Sequence, residues 1–215
     1  MLKKPFLLLL LCVACSAARA ELTWETTTQE FHRAPEDLHV AVAYNFHNTG
    51  AKPLQITRIA TSCGCTAAKL EQKEYAPGAA GHVDVDFTFG GRRGDQRKII
   101  TVTTDEGRQY LLELRCFIED ALTVKPALVF WRLGEAPAPK TVELAVIGDA
   151  KLTVKDVQSP TPDIKATLEA MESPRSYKVT ITPADTAQKR SVVLKVLTDF
   201  PPDAPKTYTI YARVK

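Results

Sequence analysis

From His82 to Phe89 the chain alternates without a break: Val83, Val85, Phe87 and Phe89 are apolar, while His82, Asp84, Asp86 and Thr88 are polar. A period of two sends successive side chains to opposite faces of an extended strand, whereas a helix of 3.6 residues per turn would scatter the same residues around its axis. The segment is therefore a strand with one wet face and one dry face. Val40, Val42, Tyr44 and Phe46 repeat the pattern against His39, Ala41, Ala43, Asn45 and His47. The turn residues Asn48-Thr49-Gly50-Ala51 follow, and Leu54, Ile56 and Ile59 read as a strand returning beside the first. Ile100 and Val102 lead through a polar tip at Thr104-Asp105-Glu106-Gly107 to Tyr110, Leu112, Leu114, Cys116 and Ile118, a hairpin. No segment sustains a helical period.

The second half of the chain repeats the first. Leu54-x-Ile56-x-x-Ile59 has its counterpart in Leu152-x-Val154-x-x-Val157, and Ile100-x-Val102-x-Thr104-Asp105 in Leu194-x-Val196-x-Thr198-Asp199. Tyr110, Leu112, Leu114 and Cys116 fall opposite Tyr208, Ile210, Ala212 and Val214. A repeat of this length is a repeat of a folding unit. The expected fold class is all-β, two tandem immunoglobulin-like β-sandwich domains after an N-terminal signal peptide, with residues 1–20 as the signal, 21–120 as the first sandwich and 121–215 as the second. Trp24 and Trp131, near the start of each half, are expected to pack in a core or between the sandwiches.

Residues 1–20 read as a secretory signal, with Lys3 and Lys4 before the apolar run Phe6–Ala14 and a cleavage site at Ala18-Arg19-Ala20. Removing them takes three of the 28 basic residues and none of the 25 acids, which leaves a formally neutral chain. Neutrality argues against nucleic acid as a partner, since little counterion release is available. No later apolar run approaches the roughly 20 residues a spanning helix needs. Cys12-Val13-Ala14-Cys15 also resembles a lipoprotein signal, in which Cys15 would carry a lipid anchor, but the intact Ala-x-Ala site favours a free protein. The expected location is the periplasm of a Gram-negative bacterium or the medium.

Several blocks occur in order and at matching spacing. They are Asn48-Thr49-Gly50 with Pro53-Leu54-x-Ile56, then Ser62-Cys63-Gly64-Cys65-Thr66, then Pro77-Gly78, then Gly94 with Ile99-Ile100-x-Val102-x-Thr104. In these the first half resembles the bacterial DUF1573 family, which is similar to the ASH and major-sperm-protein-like immunoglobulin domains. The resemblance implies a binding or assembly module without catalysis, whose biochemical role is unassigned and whose partner is another envelope protein. The second half lacks the Cys-Gly-Cys block.

Cys63 and Cys65 sit in what reads as a loop of about twenty residues, and long loops in compact domains are often functional. Two readings stand open. The pair braces the loop, as a disulfide or as two buried thiols; or it performs thiol-redox chemistry or holds a soft metal such as copper or zinc. If the strands around Thr49 and Gly50 form a hairpin, residue numbers adding to about 101 face each other, which brings His39 near Cys63. His82, opening the strand after the loop, is a second candidate ligand. Cys116 shares parity with Leu114 and Ile118 and is expected to be a buried core thiol. Arg92, Arg93, Arg97 and Lys98 read as a solvated hairpin tip, and Asp84 and Asp86 as solubilising residues, with no nucleophile-and-base motif in the chain.

Overall fold

The computed structural model describes residues 21–173 and 175–215. The signal segment, its cleavage site and Cys15 lie outside the described residues.

Nine strands build the first half: β1 (Leu22–Trp24), β2 (Thr28–Arg33), β3 (His39–Asn48), β4 (Leu54–Thr61), β5 (Thr66–Leu70), β6 (Glu74–Tyr75), β7 (Ala80–Thr88), β8 (Gly94–Thr104) and β9 (Gln109–Ile118). They form two sheets, ordered β1-β3-β7-β5 and β2-β9-β8-β4-β6. The apolar half of each alternation points between them, and Val40, Tyr44, Phe46, Val83, Val85 and Phe87 meet Ile56, Ile100, Val102, Leu112 and Leu114 in one core. Cys116 is buried there as a free thiol, and burial raises its pKa. Gly107, at positive φ, turns the β8–β9 hairpin as its N–H donates to the Thr104 carbonyl.

The second half contains β10 (Leu122–Lys125), β11 (Leu128–Trp131), β12 (Lys140–Val146), β13 (Val154–Gln158), β14 (Ile164–Ala170), β15 (Ser176–Pro183), β16 (Arg190–Thr198) and β17 (Thr207–Val214). Its sheets are β10-β12-β15-β14 and β11-β17-β16-β13. Strand for strand this is the first topology again, without a counterpart of β6. The register repeats too: Ile56 faces Thr104 and Ile59 faces Val102, as Val154 faces Thr198 and Val157 faces Val196. Both pairings carry a one-residue irregularity at the same place, before Arg58 and before Asp156. In each half an early strand runs parallel to the last, β2 along β9 and β11 along β17.

One expected pairing does not form. β3 pairs with β1 and β7, whereas β4 pairs with β8 and β6 in the opposite sheet. The two alternations face each other across the core instead of lying side by side. Asn48 enforces the crossing: fully buried, it donates to the carbonyls of Lys52 and Tyr75 and accepts from the Gly50 N–H. The rule that facing residues add to 101 therefore fails. The segment expected as one long loop also contains β5 and β6.

The sandwiches touch through specific groups. Lys206, buried in the second, donates to the Pro35 carbonyl of the first, and Arg93 stacks 4.2 Å from the Tyr208 ring centroid while approaching Asp120. Arg93 thus packs between the sandwiches and is no part of a solvated tip. Trp131 is wholly buried and its indole donates to the Ala138 carbonyl, and Trp24 packs on Phe46.

Candidate functional site

Cys63 and Cys65 lie in the turn that carries the chain from β4 to β5, and their sulfurs are joined in a disulfide. Hydrogen bonds hold this turn on both sides. Ser62 N–H donates to the Ile99 carbonyl, the Ser62 hydroxyl accepts from Ile99 N–H, and the Thr61 hydroxyl donates to the Cys63 carbonyl. On the other flank Thr88 N–H donates to the Cys65 carbonyl. The Thr66 hydroxyl stands 3.5 Å from the Cys63 sulfur and 3.9 Å from that of Cys65. Both cysteines are half-buried and Gly64 is exposed.

Beside the turn, the outer face of the β1-β3-β7-β5 sheet forms a groove of about 1040 Å³. Its floor follows from the register. Ala41 and Ala67 flank Asp86, and Ala43 and Lys69 flank Asp84. Alanine at three of these positions removes the bulk that normally covers a sheet face, and Gly64 and Cys65 form one rim with Arg92 near it. The β1 strand reaches only Phe46 to Asn48 of β3, so it leaves the Ala41–Ala43 stretch without a strand partner on that side. There the Gln29 amide donates to the Ala43 carbonyl.

His39 arrives near the disulfide, though not by the route expected. It faces Thr88 across one edge of β7, and Cys65 bonds to Thr88 on the other. Two strand spacings, about 10 Å, separate their backbones. Its Nδ1 lies 2.9 Å from an Asp86 carboxylate oxygen. His82 stands elsewhere: it faces Asn45, six residues along β7 from Thr88 or about 20 Å at strand rise, and approaches Asp84 at 3.4 Å. Strand direction places it at the far end of the sheet, because β7 runs toward the disulfide and His82 opens it. With both sulfurs in the disulfide, neither is a thiolate ligand in this form. Among the described residues no cluster of three His, Cys, Asp or Glu groups is placed to hold a metal.

The groove itself escaped the sequence reading, which assigned Asp84 and Asp86 to solubility and left the alanines unremarked. The signal was present in Ala41 and Ala43, two small apolar residues on a face otherwise carrying His39, Asn45 and His47.

Among curated proteins none matches the chain. Among solved structures, a protein of unknown function from Porphyromonas gingivalis W83 is 14% identical, with a TM-score of 0.36 over 90% of this chain and 99% of that one. An ASH/PapD-like domain of human CEP192 is 10% identical, with a TM-score of 0.38, over 46% of this chain and 86% of that domain. The secreted serine protease VesC from Vibrio cholerae is 9% identical, with a TM-score of 0.39, over 75% of this chain and 46% of the protease. Residues 22–117, the sandwich that carries the disulfide and the groove, match the family described as "Protein of unknown function (DUF1573)".

Proposed function

We propose that this chain is an exported, noncatalytic binding and assembly module of the bacterial cell envelope, which takes another envelope protein into the groove beside the Cys63–Cys65 disulfide. The observation that carries this is the alanine floor. Ala41, Ala43 and Ala67 expose backbone and small side chains where a solvated sheet would carry long polar ones, and Lys69, Asp84 and Asp86 offer charges of both signs for orientation. An extended segment lying there would also meet the part of β3 that β1 leaves uncovered. The test places a photo-crosslinking residue at Ala67 in cells. A discrete adduct is expected, lost when Ala43→Trp fills the groove while the thermal transition stays put; an adduct indifferent to Ala43→Trp defeats the reading.

The half-exposed disulfide at the rim favours a second reading, thiol exchange with the bound partner. In that reaction a partner dithiol is oxidised to a disulfide as Cys63–Cys65 is reduced to two thiols, two electrons and two protons passing between the pairs. Alkylation of the folded protein after equilibration in graded dithiothreitol buffers tests it. Reduction of the pair only after unfolding denies it.

A further inference from the structure

The duplicated topology allows one sheet face to be compared with its own counterpart. In the first sandwich, the outer face of the β2-β9-β8 strands carries a chain of ion pairs between the exposed Leu111 and Phe117. Glu113 pairs with Arg97 and Arg115, and Arg115 pairs with Glu30. In the second sandwich, the register of β11, β17 and β16 puts Leu128, Tyr211 and Val193 in one row, at the positions that Thr28, Glu113 and Ile99 hold in the first. Phe130 stands in the next row, where the first sandwich has Glu30. All four side chains are about 40% exposed, and they are four of the nine large apolar residues exposed among those described. At two equivalent backbone positions the first sandwich places the carboxylates of Glu113 and Glu30 and the second the rings of Tyr211 and Phe130, so the fold does not require apolar side chains there.

The charges around the row are also one-sided. The ion pairs of the second sandwich engage Lys140, Lys155, Lys178 and Arg190. Among the described residues, the three cations that border the row, Lys195, Arg213 and Lys215, belong to none of these pairs. Lys195 faces Thr209, two residues along β17 from Tyr211; Arg213 pairs with Phe130; and the Lys215 ammonium lies 4.2 Å from the Phe130 ring centroid. The carboxylate of Asp156, on the neighbouring strand β13, already accepts from Val157 N–H and the Gln158 amide, and that of Glu135 is paired with Lys140.

From this contrast we infer that the outer face of the β11-β17-β16 strands is a docking surface for a segment of a partner protein in which acidic and apolar side chains alternate. Alternation suits the face, since an extended segment laid on it would turn one set of side chains to the Leu128–Tyr211–Val193 row and present carboxylates to Lys195 and Arg213. A second copy of the same face would bring these cations against their own equivalents, which repel. The row lies flat across three strands instead of projecting from a loop tip, which favours a protein segment over a lipid surface. The surface belongs to the second sandwich and does not rest on the groove of the first.

Selection of a random twelve-residue peptide library on the whole chain tests this. Enriched peptides should alternate Asp or Glu with Leu, Phe or Val. Their fluorescence anisotropy should show binding weakened about tenfold or more by Lys195→Glu with Arg213→Glu, and weakened by 0.5 M salt, as expected when rim charges and their screening govern association. Thermal transitions equal to those of the unmodified chain would show that the variants remain folded. Val193→Ser with Tyr211→Ser should weaken the same peptides without changing their salt dependence. Enrichment with no acidic bias, binding indifferent to both pairs of substitutions, or a preference for phosphatidylglycerol vesicles that the charge reversals abolish would each overturn it.

Discussion

Removing the Cys63–Cys65 bond separates a structural brace from a working disulfide, and its cost follows from the size of the loop it closes. The bond spans three residues, Cys63 to Cys65. In the chain-entropy treatment, closing a loop of three removes about 5.4 cal/mol/K from the unfolded ensemble, or about 1.6 kcal/mol at 25 °C, against about 4.7 kcal/mol for a loop of 100. The native turn keeps its other restraints, because the Ser62–Ile99, Thr61–Cys63 and Thr88–Cys65 hydrogen bonds do not involve sulfur. A sandwich of this size shifts its midpoint by roughly 4–8 °C per kcal/mol, so the double variant Cys63→Ser, Cys65→Ser should lower the first sandwich's transition by about 6–13 °C. Calorimetry of the full chain reads this directly, the transition of the second sandwich serving as internal reference. A loss above about 4 kcal/mol, or loss of the native near-ultraviolet signal at room temperature, would refute the reasoning and assign the bond to holding the fold.

Three further outcomes concern the first sandwich. Gly81 faces Phe46, and a Cβ there would stand 2.7 Å and 2.9 Å from two carbons of that ring and closer still to Cε1 of Tyr75, with both rings buried. Gly81→Ala should therefore cost about 3 kcal/mol by overpacking, and Phe46→Leu should recover part of it in a double-mutant cycle; strict additivity in urea titrations would show that the rings give way freely. Asn48→Ala strips a partner from the buried carbonyl of Tyr75 and from that of Lys52 and should cost about 2–4 kcal/mol by urea denaturation, more than an exposed Asn45→Ala. Hydrogen bonds from Arg97 and then Arg115 hold the Glu113 carboxyl down at about 2. A carboxylate depressed in the folded state stabilises it above its unfolded pKa of about 4.5, and that contribution is lost as pH falls through about 2. Glu113→Gln should thus flatten the decline of the urea midpoint between pH 5 and pH 2, and equal slopes would deny the coupling.

Alternation along each strand was enough to assign faces. Val40 to Phe46, Val83 to Phe89 and Tyr110 to Ile118 are buried on the predicted side, and the matched pairs from Leu54 against Leu152 to Cys116 against Val214 made the duplication visible before any coordinate. These are properties of a single extended chain, set by the pleat and by the turn residues at its ends. Pairing is a different matter. Whether β3 lies beside β4 or across the core from it depends on which side chains fill the space between two sheets, and that is a sum over distant residues. The same non-local sum brought Tyr75 to Asn48, and Cys65 and His39 to opposite edges of β7. It also aligned alanines from two strands into one groove floor, and brought Leu128 of β11 beside Tyr211 and Val193 of the consecutive strands β17 and β16 in one apolar row.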